Sequence, residues 1–464
     1  AIIVRFNIRV GGMKMKKDLT TGNVFQTILY FALPYLLSYF LQTLYGMADL
    51  YIIGQFNGVA ATTAVSIGSQ VMHMLTVIIV GLAMGTTVTV GRAIGAKKTD
   101  EASLAIGNTV TLFMIVSVVF TLGLLLLLKP IVALISTPQE AVQGTIQYLF
   151  VCFIGIPFIT AYNIISSIFR GLGDSKSPMY FVAVACVANI GLDYLFIGVM
   201  SMGPVGAALG TTLAQTISVA ISLIAIHKKQ IGVHLTKKDF KPQVSVMKML
   251  LSIGVPVALQ DGFIQVAFIV ITIIANQRGL NPAAAVGIVE KFISAAFIVP
   301  SSMLATVSAL AAQNIGADKH DRAAKTLYTA MLITSVYGIL IGLVTEVAAE
   351  YILGFFTKDA VVIVLGSQYL RAYIWDAFLA GFHFCFTGYF CAYGLSYIGF
   401  IHNVLAIVLV RIPGAYFASK WFPDTLFPMG MSAPVGSLLS ALICIVFFIW
   451  LKKRKVIYGR NETV

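Results

Sequence analysis

The sequence predicts an all-α integral membrane protein of twelve transmembrane helices in two parallel halves. Three observations carry that expectation. The 464 residues are 59% hydrophobic and 11% charged, with a mean hydropathy of +0.92, more apolar than a soluble core requires. About twelve stretches are long enough to cross ~30 Å of hydrocarbon at roughly 20 residues each. The chain also repeats itself at an offset of 221–222 residues. Hydrocarbon offers backbone groups no water, so each span is read as a helix. The alternating strands of about 10 residues that build a membrane barrel are absent.

The elements come in this order. Span 1 (25–48) is broken by Pro34 and leads to Asp49. Span 2 (62–86) ends before the basic loop of Arg92, Lys97 and Lys98. Span 3 (103–128) stops at Lys129. Span 4 (142–168) holds Pro157 and is succeeded by Arg170 and Lys176. Span 5 (178–200) carries Asn189 and Asp193, and span 6 (204–226) starts at Pro204. A polar, basic connector, 227–246, separates the two halves. Span 7 (247–275) contains Pro256, Asp261 and Gln265. Span 8 (284–308) contains Glu290, Lys291 and Pro300. Span 9 (323–346) comes after the basic run Lys319 to Lys325. Span 10 (363–390) carries Asp376 and span 11 (396–419) carries Arg411. Span 12 (430–451) ends at Lys452 to Lys455. The expected organisation is a tail at 1–24, an N-lobe at 25–226, the connector, a C-lobe at 247–451 and a tail at 452–464. Ala1 to Gly12 are unlike the rest of the chain, so Met13 is expected as the native start and the first twelve residues as added sequence.

The net charge of +13 is topological and does not signal nucleic acid. With the N-terminus inside, the inner loops and tails hold 24 of the 31 Lys and Arg, the outer loops four, and the spans three. The excess of basic residues therefore places both termini in the cytoplasm of a bacterial cell membrane, and the basic tails can touch anionic lipid. The five cysteines (152, 186, 385, 391, 444) lie in apolar spans without metal spacing and read as buried small hydrophobes.

The duplication pairs Phe31-Ala-Leu-Pro-Tyr-Leu-Leu with Ile253-Gly-Val-Pro-Val-Ala-Leu, and Gly91-Arg-Ala-Ile-Gly-Ala-Lys-Lys with Ala312-Gln-Asn-Ile-Gly-Ala-Asp-Lys. Tyr148-Leu149 pairs with Tyr369-Leu370. Six spans per repeat is an even number, so both repeats enter from the same side and are related by an axis along the membrane normal.

Asp49 and Asp193 are the most informative residues. Asp49 stands at the outer end of span 1 and Asp193 inside span 5, with no Lys or Arg at their depth, and an intramembrane carboxylate is kept where it meets a cavity, an ion path or a partner. At ~1.5 Å per residue, Asp193 lies roughly 22 Å above the inner end of span 5. Thr211 and Thr212 lie roughly 11 Å below the outer end of span 6. These levels converge with Asp49 in the outer half of the membrane. Asn189 shares a face with Asp193, and Gln42 shares one with Asp49. Carboxylates, an amide and a hydroxyl are hard oxygen ligands for a small cation such as Na+. They serve a proton equally well, because two close carboxylates repel until a proton is shared.

The chain resembles the multidrug and toxic compound extrusion (MATE) family, and within it the bacterial branch called DinF-like. Pro34 with Asp49 and Gly54 is similar to the family's first-helix signature. Phe169-Arg-Gly-Leu-Gly-Asp-Ser-Lys-Ser-Pro178 is similar to its loop after helix 4, and Asn189-Ile-Gly-Leu-Asp193 to its fifth-helix motif. The resemblance covers residues 13–455. It implies two six-helix bundles around a central cavity, and export of organic cations against inward-flowing H+ or Na+, with no cofactor. It places Asp49, Asn189 and Asp193 in an N-lobe cation or proton site, and it aligns Asn163 and Ser166 with polar positions of that cluster. In the C half, Gln265 stands where some members carry a Glu. The helix-10 acid of those members falls at about Ala380, one turn from Asp376.

Aromatic faces attract organic cations, and Met repacks around varied shapes. Tyr35, Tyr39, Met72, Phe153 and Phe292, with Gln265, are the expected substrate contacts, and Pro34 is the expected hinge. Depth arithmetic pairs Asp261 with Lys291 and Asp376 with Arg411. Enzyme classes are disfavoured: there is no phosphate-binding Gly-Lys loop, no His-Glu-x-x-His and no nucleophile elbow. The expected activity is therefore ion-driven drug export by a monomer through alternating access. A flippase of lipid-linked precursors is the runner-up, and a channel comes third.

Overall fold

The computed structural model describes residues 18–135, 137–229, 233–454 and 456–457. The expected start at Met13 and the far C-terminal tail lie outside them. Among the described residues all regular structure is helical. The first half contains α1 (Val24–Phe56), α2 (Val59–Gly95), α3 (Thr99–Leu126), the short α4 (Leu128–Leu134), α5 (Gln139–Gly171), α6 (Lys176–Asp193) and α7 (Gly203–Lys229). The second half contains α8 (Val244–Asn276), α9 (Leu280–Ala296), α10 (Ile298–Gly316), α11 (His320–Phe356), α12 (Ala360–Tyr373), α13 (Asp376–Ala392), α14 (Ser396–Ala406), α15 (Ile412–Trp421), α16 (Phe427–Gly430) and α17 (Ser432–Lys453). Eleven helical stretches are long and apolar enough to cross a bilayer. The remaining span, span 10, is formed by α12 with α13 and is divided at Ile374–Trp375 into pieces of 14 and 17 residues. α6 continues into a π-helical stretch, Tyr194–Val199, and α14 reaches α15 through another, Ile407–Arg411.

Two compact units form. One takes Leu33–Leu251; the other takes Leu19–Ala32 and the chain from Ser252 onward. In the first unit the core gathers Ile52, Ile53, Val65, Tyr148, Leu149 and Phe153, all nearly inaccessible. In the second it gathers Val286, Val289, Leu353, Tyr369, Leu370 and Ile374. Part of the connector packs on the first unit. Asn108 donates to the Asp239 carbonyl (3.0 Å) and accepts from the Gln243 amide (2.7 Å), while Thr111 donates to the Phe240 carbonyl (2.8 Å). The five cysteines are buried and unpaired with one another.

Several spans outrun the hydropathy pattern. α2 has 37 residues, about 55 Å of helix. Its inner end, from Ala83 to Val90, is buried despite Thr86, Thr87 and Thr89. Thr87 donates to the Ser167 carbonyl at 3.1 Å, and the same bond recurs 221 residues later, Ser308 to the Gly388 carbonyl at 3.2 Å. The duplication is equally plain in the turns. Lys97 and Asp318 both have φ of 58°, and Gly173 and Gly394 have φ of 87° and 74°. A residue in this left-handed conformation ends a helix by turning the chain away, which glycine does without a side-chain clash.

The prolines explain where helices are held from outside. Proline lacks an N–H and leaves the carbonyl four residues earlier without its helical donor. Before Pro300 that carbonyl belongs to Ala296, where α9 ends, and the Tyr337 hydroxyl donates to it at 2.9 Å. Before Pro256 it belongs to Ser252, and Ser396 donates to it at 3.0 Å. α1 passes through Pro34 without a break, and Ser38 donates to the Pro34 carbonyl at 2.9 Å.

Candidate functional site

The acidic site of the first unit is assembled by α1, α6 and α7. α1 supplies Tyr45 and, one turn later, Asp49. α7 runs the opposite way and supplies Thr211 and, one turn later, Gln215. Two rungs join them: Thr211 donates to Asp49 Oδ2 at 3.0 Å, and Gln215 Nε2 donates to the Tyr45 hydroxyl at 3.3 Å. The last two turns of α6 bring Asn189 and Asp193 beside the Asp49 carboxyl. Asp49, Asn189 and Asp193 are 3%, 1% and 0% exposed, so water does not screen them.

The valences of this cluster are largely open. Asp49 Oδ1, both oxygens of Asp193 and both amide atoms of Asn189 are buried with no hydrogen-bond donor or acceptor in place. Each such atom costs on the order of 1–3 kcal/mol if left so. Two ionised carboxyls have no hydrogen to donate, so the Asp49–Asp193 contact becomes a hydrogen bond only when one carries a proton. No Lys or Arg forms an ion pair with either acid among the described residues. The donor set fits a proton, or a small oxygen-ligated cation.

Asp193 owes its place to a glycine. A Cβ on Gly210 of α7 would meet Asp193 Oδ1, whereas one on Gly191 of α6 would meet nothing within 4 Å. Gly210→Ala is therefore expected to displace the carboxyl and cost about 1–3 kcal/mol from overpacking. Gly191→Ala is the matched control. Thermal unfolding in detergent and ion-driven dye efflux check this; equal effects of the two would refute the tight fit.

The expected residues divide into groups. Asp49, Asn189, Asp193 and Thr211 come together. Gln42 and Ser166 instead surround the Tyr162 hydroxyl, and Asn163 donates to its own helix, at the Ile159 carbonyl (2.8 Å). Tyr45, Tyr162, Gln215 and Gly210 are not legible as site residues in the sequence. For Tyr45 and Gln215 the one signal is the one-turn spacing from Asp49 and Thr211; Tyr162 and Gly210 carry none, because a tyrosine or glycine in an apolar span has no periodic signature.

Among the expected substrate contacts, Tyr35 and Tyr39 meet edge to face at 5.2 Å, and the Arg170 guanidinium stands 5.1 Å over the Tyr35 ring. Met72 and Phe153 are packed in the apolar core of the first unit, 9% and 0% exposed. Phe292 is partly buried against the core of the second unit, and Gln265 is half-buried on α8.

The second unit pairs its charges differently. Arg411 reaches Asp376 Oδ2 at 3.2 Å and Ser437 Oγ at 2.6 Å, as the depth arithmetic expected. Asp261 and Lys291 form no ion pair among the described residues, which corrects that expectation. Lys291 is exposed on α9, and its neighbour Glu290 accepts from Thr272 at 3.2 Å.

Comparison with known proteins agrees with this architecture. The MatE family model matches residues 34–195 and again 256–417, the same 222-residue offset as the duplication. The chain is similar to the probable multidrug resistance proteins YoeA and YpnP of Bacillus subtilis (strain 168). The first is 24% identical over 441 residues, covering 93% of this chain and 95% of that protein. The second is 27% identical over 434 residues, covering 93% and 96%. Its fold is similar to that of a MOP superfamily transporter from Pyrococcus furiosus, with a TM-score of 0.87 and 22% identity over 94% of this chain and 98% of that one.

Proposed function

Because the chain belongs to the MATE family of membrane transporters, and so is not an enzyme, we propose that it is a secondary active multidrug exporter. Organic cations leave by alternating access while H+ or Na+ moves inward through the acidic site of the first half. The observation that supports this most is the buried Asp49–Asp193 pair, with open oxygen valences and no cationic partner among the described residues. A carboxylate pair that must be neutralised inside a membrane couples its own occupancy to conformational state, since only an occupied pair is cheap to enclose. Relatives named as multidrug resistance or multidrug export proteins, among them MepA of Staphylococcus aureus (strain MRSA252), support drug-like substrates.

Tyr35 and Tyr39 remain the proposed aromatic contacts for a cation, with Phe292 and Gln265 in the other half. Pro34 remains the proposed hinge. Two lobes (25–226 and 247–451), cytoplasmic termini, a bacterial cell membrane and a monomer complete the reading. The flippase alternative calls for basic residues free to hold a diphosphate, yet Arg411 is already engaged by Asp376 and Ser437.

Reconstituted vesicles test the proposal. Ethidium efflux is measured with a pH gradient or a sodium gradient imposed separately. Efflux driven by one gradient is the expected result and identifies the coupling ion. Absence of efflux with both, together with scrambling of a lipid-linked substrate, would overturn the exporter in favour of the flippase.

A further inference from the structure

The interior of the second unit holds a polar stripe that the drug-export reading leaves unused. Asp376, His383 and Thr387 lie at i, i+7 and i+11 on α13, one face of the helix. Ala380, inaccessible between them, keeps that face narrow. Ser437 Oγ sits at a junction: Arg411 donates to it at 2.6 Å and His383 Nε2 lies 3.2 Å from it. The His402 ring stands 5.4 Å from that of His383, edge to face, and its Nε2 lies 3.0 Å from Thr387 Oγ1. Asp376, His383, Thr387, His402 and Ser437 are at most 2% exposed, and Arg411 is 9% exposed.

Each imidazole uses Nε2 for a hydroxyl and leaves Nδ1 buried with no partner. Asp376 Oδ1, Arg411 Nε and both amide atoms of the neighbouring Gln260 are also buried and unsatisfied. So many open valences along one line are rare in a packed interior and call for a function. Two further features match the acidic site of the first unit. Arg411 belongs to a π-helical stretch in the fifth span of its repeat, as Asp193 immediately precedes one, and π-bulges gather at functional sites. Arg411 also lies against a glycine of the sixth span, Gly436, as Asp193 lies against Gly210.

We propose that His383 and His402, linked to Arg411 and Asp376 through Ser437, form a second proton-binding site. A proton from water binds one Nδ1 and returns to water on release; no bond to carbon or sulfur changes. With His383 Nε2 unprotonated, Ser437 donates to it and accepts from Arg411. With the ring doubly protonated, Ser437 must accept from both cations and turn its own hydrogen elsewhere. The like charges then press Arg411 toward Asp376. The other titratable groups are these: Tyr369 and Tyr373 of α12 stand near Asp376 and Arg411, α13 itself adds Cys385, Tyr389 and Cys391, α14 adds Tyr397, α10 has none, α11 carries its charges toward its ends with Tyr328 and Tyr337 between, α17 adds Cys444 and terminal Lys452 and Lys453, and α8 adds Asp261 beside Gln260.

The test uses the full chain labelled with 15N-histidine in detergent micelles. Two buried imidazoles are expected to change their ring-nitrogen shifts as the pH is lowered from about 8 toward about 4. Both signals should vanish in His383→Gln/His402→Gln, whose amides retain hydrogen bonding to Ser437 and Thr387. Buried imidazoles that keep one tautomer's shifts throughout would overturn the site, and that result needs only the unmutated protein. The transport arm rests on the exporter reading. In vesicles the double variant is expected to lose the pH dependence of efflux on the acid side of neutrality while keeping efflux itself; an unchanged profile counts against the site. Asp49→Asn distinguishes the two proposals. If it leaves efflux intact while the histidines titrate, the coupling site falls and the imidazole site stands. If it abolishes efflux while the histidines stay silent, the reverse holds.

Discussion

Asp49→Asn, and separately Asp193→Asn, is expected to reduce gradient-driven dye efflux to the level of protein-free vesicles. The amide keeps the shape of the carboxyl and much of its hydrogen bonding, so insertion and unfolding temperature should change little. What it removes is the ability to take and lose a charge. In Asp49→Asn the new amide oxygen can still accept from Thr211, whose hydroxyl lies 3.0 Å from Asp49 Oδ2. That amide cannot bind a proton, and it offers a cation a neutral oxygen in place of a negative one. Passive exchange of labelled dye down its own gradient is expected to survive, because the substrate path is untouched. Wild-type driven efflux by a well-folded double variant would falsify the coupling role of this pair.

The second large effect falls on stability. Arg411→Met is expected to cost about 3–5 kcal/mol, because it leaves the Asp376 carboxylate buried without its cation. Asp376 is 0% exposed and its only salt bridge among the described residues is to Arg411. Replacing both, Asp376→Leu with Arg411→Met, removes the unpaired charge along with its partner and should recover most of that loss. Thermal unfolding of the three variants in one detergent forms the cycle. Equal destabilisation by the single and double variants would show that the two charges do not act as a pair. Arg411→Lys keeps the charge but not a guanidinium that reaches Asp376 and Ser437 together, so it should fall between.

Much of the acidic site was legible because a buried charge is costly and therefore conspicuous. Asp49 and Asp193 stood out against apolar spans, and helix rise put them at one depth. Asn189 and Thr211 came from one-turn spacing and the same arithmetic. Gln42 shared a face with Asp49 and Ser166 an aligned polar position, but neither shares its partner, since they turn to Tyr162. Spacing along one helix gives a face; it does not say which neighbouring helix that face meets. For the same reason Asp376 and Arg411 met as expected, whereas Asp261 and Lys291, at matching depths, did not.

The sequence by itself determined the membrane class, the positions of the spans, the duplication and the family. Each of these rests on chain-local physics: hydrocarbon thickness, the cost of an unsatisfied backbone, and self-similarity along one chain. Only the tertiary structure decided which polar atoms are satisfied and by whom. The carbonyl freed by Pro300 is met by Tyr337, and the one freed by Pro256 by Ser396, donors 41 and 144 residues away. Gly210 makes room for Asp193, and two histidines of different helices come to stand ring against ring. A transmembrane span is apolar all round, so its sequence carries little record of rotation. Rotation about the helix axis is settled by packing, and with it the identity of every partner.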